Sequence, residues 1–183
     1  ADVVQAGNFG AIRTFAEYAS EPQLKKFLPK LLAGEGVMSV GMSEPDAGSS
    51  VTDLKTSATP DGDDFLINGS KVFGTNSAEA EVFLIYLRFG PGVDGIGSAI
   101  IEKGTPGFEI GPSYRYMNGE FWSPLYFDNC RIPESNILLG VGGFKKQISG
   151  FNIERLGNAA RAVAVGRKAF SEACEHAKTR QQF

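Results

Sequence analysis

Between Val37 and about Gly142 the hydrophobic residues never settle into a helical period. Short runs rich in β-branched and aromatic residues (DLKTSAT, FLI, KVFGT, VFLIYLRF, SAIIEK, GFEI, LYFDNCRI) alternate with turn-forming clusters such as PDGDD and NGS. Closely spaced short strands with no long helical interval between them predict an antiparallel barrel or sandwich. The Asn68-Gly69 pair between FLI and KVF is the sequence of a tight hairpin turn.

On both sides of this block the period becomes helical. Residues 1 to 36 are expected to be helical, with Ser20-x-x-Gln23 at capping-box spacing and Pro22 tolerated in the first turn. Leu24, Phe27, Leu28, Leu31 and Leu32 recur at helical spacing, Pro29 is expected to kink or split that helix, and Gly34 fits a terminator. After Gly142-Gly143 the chain turns helical again, most strongly from Ala159 to Lys178, whereas Gly150 and Gly157 weaken the first part. The chain is therefore read as α+β and multidomain, in three parts: 1–36, 37–142 and 143–183. With neither an initiator methionine nor a helix stop before Phe183, it reads as a central section of a longer protein.

Charge and composition narrow the chemistry. The 183 residues carry a net charge of −3, and no basic run exceeds Lys145-Lys146, which argues against a nucleic-acid or anionic-membrane surface. No apolar run has the length of a membrane helix, and the N-terminus lacks the cationic start and apolar core of a signal peptide. Two cysteines, Cys130 and Cys174, and one histidine, His176, rule out a disulfide framework and a multi-histidine metal site. His176 falls in a helical stretch whose exposed face suits it, so a catalytic triad is not expected either. Gly90-Pro91-Gly92-Val93-Asp94-Gly95 satisfies G-x-G-x-x-G, but a strand rather than a helix follows it. It is read as a loop and not as a nucleotide site.

The stretch SVGMSEPDAGSS, residues 39–50, has two readings. Pro45 blocks helix at Glu44, and Ala47, Gly48, Ser49 and Ser50 leave main chain uncovered. Such a segment is either a surface turn or a place where a flat or charged ligand approaches the backbone.

Taken in order, these segments resemble the acyl-CoA dehydrogenase family. LKKFLPKLLAGE is similar to the end of its N-terminal helical domain, GMSEPDAGSS to its flavin signature, and INGSKVFGTNS to its NG-x-K-x-W-I-T-N strand pair. GFEI, LYFDNCRIPESNILLG, FNIER and KTRQQF resemble the later motifs, so the likeness extends over nearly the whole chain. The resemblance implies a fold with an antiparallel β-barrel or sandwich middle domain flanked by helical segments. It also implies FAD as cofactor and dehydrogenation of an acyl-CoA thioester. A base removes the α-proton while hydride leaves the β-carbon for flavin N5.

Carried over by residue, the resemblance puts the flavin against Val40, Met42, Ser43, Gly48 and Ser49, with Ser49 also meeting the acyl-CoA. Ser43 stands where the family often has Thr, and Ser50 where it has Asp. Phe73, Gly74 and Thr75 match W-I-T: Phe73 is either a core aromatic or a cover for the isoalloxazine, with Thr75 bonding near N5. Phe for Trp gives a smaller surface, and Gly74 for Ile loosens the strand. Asn152 and Arg155 match a pair reaching toward CoA, or else form a solvated helix face. Arg180 and Phe183 match an R-x-x-F pair that contacts FAD across a subunit interface, which implies a homodimer or homotetramer. The family base is expected beyond Phe183; in a minority resembling isovaleryl-CoA dehydrogenase it falls on the position of Glu154, which otherwise pairs with a neighbouring cation. An electron-transfer flavoprotein or another acceptor would take the electrons. The expected location is cytoplasmic, or the mitochondrial matrix in a eukaryote. Rival readings are a flavin-dependent monooxygenase, a nitroalkane-oxidase-like enzyme, and a non-catalytic or nucleic-acid-associated flavoprotein of the same fold.

Overall fold

The computed structural model describes residues 11–183, so the helical expectation for residues 1–10 lies outside the described residues. Residues 11–18 form helix α1. Helix α2 (Glu21–Ala33) begins at Ser20, whose amide donates to Gln23 Oε1 at 2.9 Å, and stops at Gly34 in the left-handed conformation. Of the two expected effects of Pro29, a kink or a split, the split does not occur: α2 continues through it. The apolar stripe of Phe27 and Leu31 holds the helix against the strands, and that packing outweighs one lost backbone bond.

Nine strands follow: β1 (Met38–Gly41), β2 (Ser57–Asp61), β3 (Asp64–Thr75), β4 (Val82–Arg88), β5 (Ile96–Glu102), β6 (Phe108–Ile110), β7 (Tyr114–Arg115), β8 (Phe121–Pro133) and β9 (Ile137–Leu139). They form one sheet ordered β6-β8-β3-β2-β4-β5-β9, with β1 beside β4 and β7 beside β8. The sheet is mixed rather than purely antiparallel. β1 runs parallel to β4 with Met38 opposite Val82, and Ser57 of β2 meets Arg88 of β4 in the same sense. A parallel pair needs a long crossover, and here the β2–β3 hairpin supplies it in place of a helix.

Asn68-Gly69 is not the hairpin turn. The chain reverses at Asp61–Asp64, where Gly62 takes φ +67°, and β3 runs straight through Asn68 and Gly69. Gly69 serves close approach instead: a Cβ there would stand 2.7 Å from Thr56 Cα, and the pairing with β8 shifts register at that point. The glycine run 90–95 is a turn between antiparallel β4 and β5, where a Cβ on Gly95 would overlap the Gly90 carbonyl.

The sheet curls back on itself. Phe108 of β6 stacks on Phe127 of β8 and also lies edge-on to Phe83 of β4 at 4.9 Å, although β6 and β4 are four places apart in the strand order. Inside the curl lie Ile67, Phe83, Ile85, Leu87, Ile101, Leu125 and Ile132, all essentially inaccessible. β4 is buried on its other face too. Leu84 joins Phe15, Phe27, Leu31 and Met38 under α1 and α2, while Tyr86 joins Leu54 and Ile96 beneath Phe144 and Phe151. Those two phenylalanines begin α3 (Phe144–Ser149) and α4 (Phe151–Thr179). Beyond its first turn α4 is almost wholly exposed, with Leu156, Val163, Val165 and Phe170 facing outward.

Candidate active site

The site is built on the junction of β1 with β3. Chain direction changes abruptly after β1, because Glu44 and Ala47 exchange backbone hydrogen bonds (3.0 and 3.1 Å) and close the Glu-Pro-Asp-Ala turn. The Glu44 carboxylate points inward and is fully engaged. It accepts from Lys71 Nζ at 2.7 Å, from the Lys55 amide at 2.6 Å, and from the Thr56 amide and hydroxyl at 2.9 and 2.6 Å. Lys71 has no exposed surface and also donates to the Met42 carbonyl at 3.3 Å. Burial pushes the Glu44 carboxyl up, but the hydrogen bonds from Lys71, Thr56 and the Lys55 amide outweigh it and hold the group below its usual range. Burial also pulls the Lys71 ammonium down to about 8, against the pull of Glu44. At neutral pH the two form a buried ion pair that ties the loop to β3. A further bond from the Val72 amide to the Ser43 carbonyl, 2.9 Å, completes the tie.

Immediately after Lys71 the ladder with β8 slips register, and Phe73 adopts φ +61°, a conformation strained for any side chain but glycine. The bulge turns the Phe73 ring outward, 57% exposed, against the indole of Trp122 at 4.7 Å. The Tyr116 hydroxyl donates to the Phe73 carbonyl at 3.1 Å and holds the bulge open. Gly74 resumes the ladder with β8 after the bulge, opposite Ser123. It lies where β1 presses on β3: a Cβ would stand 3.2 Å from the Val40 carbonyl and 3.3 Å from Ser39 Oγ. Ser39 Oγ, in turn, donates to the Thr75 carbonyl at 2.9 Å.

Above this junction opens a cavity of about 240 Å³ lined by Ala11, Val40, Met42, Ser43, Val72, Phe73, Thr75, Phe151 and Glu154. Six of the residues singled out from sequence therefore meet in one place: Val40, Met42, Ser43, Phe73, Thr75 and Glu154. Glu154 projects from the first turn of α4, next to Phe151. Burial raises its carboxyl above the ordinary carboxylate range, against the opposing pull of Arg155 and Arg161. An exposed aromatic ring, a half-buried hydroxyl residue and a carboxyl that resists ionisation suit a flat, partly polar group held beside a proton-transfer site.

The other expected residues lie elsewhere. Gly48 and Ser49 are exposed on the loop beyond the cavity, where a Cβ on Gly48 would touch nothing within 4 Å. Asn152 and Arg155 occupy the exposed side of α4, joined to each other by a 2.8 Å bond from Arg155 Nη1 to Asn152 Oδ1. Arg180 and Phe183 follow the C-terminal end of α4; at 1.5 Å per residue they sit roughly 40 Å from Glu154, far beyond the cavity of the same chain.

Sequence reasoning passed over Lys71 and Glu44 as a pair, because 27 residues separate them. It also passed over Trp122 and Tyr116, which stand behind Phe73 only because β7 and β8 fold back beside β3.

Residues 39–130 match the family described as acyl-CoA dehydrogenase, middle domain, and residues 142–183 match acyl-CoA dehydrogenase, C-terminal domain. An acyl-CoA dehydrogenase of Bacillus subtilis (strain 168) is 35% identical over 171 residues, 91% of this chain and 45% of that protein. The mitochondrial isovaleryl-CoA dehydrogenase of Oryza sativa subsp. japonica is 34% identical over 177 residues, covering 94% and 43%. Among solved structures, a glutaryl-CoA dehydrogenase from Mycobacterium smegmatis in complex with FADH2 superimposes with a TM-score of 0.87 at 29% identity, over 97% of this chain and 46% of that one. The chain thus spans somewhat less than half the length of the relatives it matches. It belongs to the acyl-CoA dehydrogenase family.

Proposed function

We propose that the intact protein holds FAD non-covalently and dehydrogenates an acyl-CoA thioester between its α- and β-carbons, with Glu154 as the base. The observation that carries this reading is the meeting of Glu154 with Phe73, Thr75, Val40 and Ser43 around one cavity. FAD, when bound, supplies the acceptor for the hydride that leaves the β-carbon.

Everything else falls to the chain's own side chains. Phe73, braced by Trp122, offers a flat face, and the Thr75 and Ser43 hydroxyls offer bonds to a polar ring edge. A carboxylate of ordinary pKa is too weak a base for an α-proton; burial beside Phe151 strengthens it, so that an oxygen of Glu154 can take the proton and keep it. Ser49, Asn152 and Arg155 lie outside the cavity, on surfaces where the long polar part of CoA would run. Arg180 and Phe183 are too distant to serve their own cavity, which supports a site completed by a second copy of the chain, in a homodimer or homotetramer. In this reading residues 1–36, 37–142 and 143–183 belong to three successive domains. An electron-transfer flavoprotein or another acceptor would reoxidise the enzyme.

The test uses the intact protein and its Glu154→Gln variant, mixed anaerobically with short, branched and longer acyl-CoA thioesters. Wild-type protein should bleach its flavin absorbance on mixing, and the variant should retain the flavin and bleach roughly 100- to 10,000-fold more slowly, the range expected for loss of a general base. Bleaching at the wild-type rate would remove Glu154 from this role.

A further inference from the structure

The glycine turn of residues 90–95, which the proposed reaction does not use, folds around one side chain. Arg88 ends β4, half-buried, and its guanidinium donates to four main-chain carbonyls. On one side Nη1 reaches the Gly90 and Gly92 oxygens at 3.2 and 2.8 Å. On the other, Nε reaches the Leu54 oxygen at 2.7 Å and Nη2 the Thr52 oxygen at 2.6 Å. A planar fork with fixed donor directions can join two loops in this way, whereas the single nitrogen of a lysine cannot. The far end of the turn is fixed as well, because the Asp94 carbonyl accepts the Gly142 amide at 2.7 Å, two residues before α3 begins.

What Arg88 holds on its other side is the segment that follows Ser49 and Ser50. Val51–Asp53 form a single turn of 3-10 helix. The Asp53 amide donates to the Ser50 carbonyl at 3.0 Å, and the Ser50 hydroxyl donates to the Asp53 carboxylate at 2.6 Å. The two carbonyls that Arg88 binds, Thr52 and Leu54, therefore flank a residue bonded twice to Ser50. Beneath them Val51 and Leu54 pack in the same cluster as Phe144 and Phe151. At the start of the loop the Glu44–Ala47 turn is tied to β3 through Lys71. Between these two anchors Gly48, Ser49 and Ser50 are exposed. An exposed loop pinned at both ends has little conformational freedom to give up when a ligand binds it.

We propose that Arg88 is a positioning residue for the acyl-CoA thioester: by pinning residues 52 and 54 to the glycine turn, it holds Ser49 in the conformation that receives the polar part of CoA. The proposal rests on the reading above that places CoA beside Ser49. Without the guanidinium, the Thr52 and Leu54 carbonyls lose their donor and the loop samples more conformations. Binding must then order it, which lowers affinity for CoA. The residues lining the cavity, Glu154 among them, do not include Arg88 or any part of its two loops, so the flavin side and the base stay as they are.

The experiment uses the intact, flavin-loaded protein and its Arg88→Lys, Arg88→Met, Ser50→Ala and Ser49→Ala variants. Coenzyme A, the part common to every substrate of the class, is titrated by calorimetry, and hydrogen exchange of residues 49–54 is followed by mass spectrometry without ligand. Both Arg88 variants should speed that exchange and weaken coenzyme A, each by about tenfold, while the flavin spectrum is unchanged and bleaching at saturating acyl-CoA stays within about threefold of wild type. Arg88→Lys separates geometry from charge: wild-type affinity in that variant would mean that the positive charge alone matters, and would overturn the proposal. Ser50→Ala, a surface change that does not endanger the fold, cuts the bond to Asp53 and should weaken coenzyme A about threefold. A lowered melting temperature with unchanged affinity in the Arg88 variants and in Ser50→Ala would show that Arg88 only stabilises the fold, and would also overturn it. Ser49→Ala tests the underlying reading separately: wild-type affinity there refutes the contact of Ser49 with CoA, and the exchange data still decide whether Arg88 fixes the loop.

Discussion

Removing either partner of the buried Glu44–Lys71 pair should destabilise the protein, and by unequal amounts. Breaking a buried ion pair from one side costs about 3–5 kcal/mol, because the remaining charge loses its compensation. The two remainders differ here. In Lys71→Met the Glu44 carboxylate keeps three donors: the Lys55 amide, the Thr56 amide and the Thr56 hydroxyl. In Glu44→Gln the Lys71 ammonium keeps the Met42 carbonyl at 3.3 Å and whatever the neutral amide oxygen offers, with no exposed surface to recruit water. Glu44→Gln should therefore lie at the upper end of that range and Lys71→Met at or somewhat below its lower end, about 2–3 kcal/mol. The double variant should lose less than the sum of the two, since each single change leaves the other charge stranded. Urea unfolding followed by the fluorescence of Trp122, the only tryptophan, measures all three. Equal losses in the single variants, or strict additivity in the double, would show that the pair is not the uncompensated-charge system described above.

The same carboxylate sets an acid dependence. Its folded pKa lies below the unfolded value near 4.5, so its contribution is full above that value and disappears as pH falls through the folded pKa. Unfolding free energy of the wild type should drop more steeply than that of Glu44→Gln between roughly pH 5 and 3, as read from urea midpoints. Gly69→Ala should cost more than about 2 kcal/mol, because its Cβ meets the backbone of Thr56 at a φ of +140°; a loss below about 1 kcal/mol would refute the close-approach account. Phe73→Gly should relieve about 1 kcal/mol of backbone strain at φ +61° yet blue- or red-shift Trp122 emission and weaken flavin retention on gel filtration. Unchanged emission would count against the ring contact.

Much of this arrangement was legible in the sequence, for identifiable reasons. β4 and β5 announce themselves as apolar runs of strand length, and the termination of α2 at Gly34 follows from the only residue there that enters the left-handed region without cost. Val40, Ser43, Phe73 and Thr75 were placed together by the resemblance of their two motifs to those of the acyl-CoA dehydrogenase family. What escaped was non-local or had two local meanings. Asn68-Gly69 has the composition of a hairpin, but the same glycine also fits a strand pressed against Thr56, and only the register with β8 distinguishes the two. The parallel pairing of β1 with β4 left no mark in either strand, since direction is set by the path of the intervening chain.

β4 carries a consequence beyond the site. Its seven residues project alternately into the curl of the sheet, through Phe83, Ile85 and Leu87, and out of it, where Leu84 meets the first two helices and Tyr86 meets the last two. Neither the curl of the sheet, nor α1 and α2, nor the starts of α3 and α4 can therefore lose their packing without stripping one side of the same strand. The sheet and the helical segments packed on it should melt as a single cooperative unit, and the β4 amides should exchange with solvent only through global opening. For evolution the strand is a point of triple constraint: a substitution there must satisfy three separate environments at once, so neighbouring regions can drift in sequence only as far as this shared strand permits.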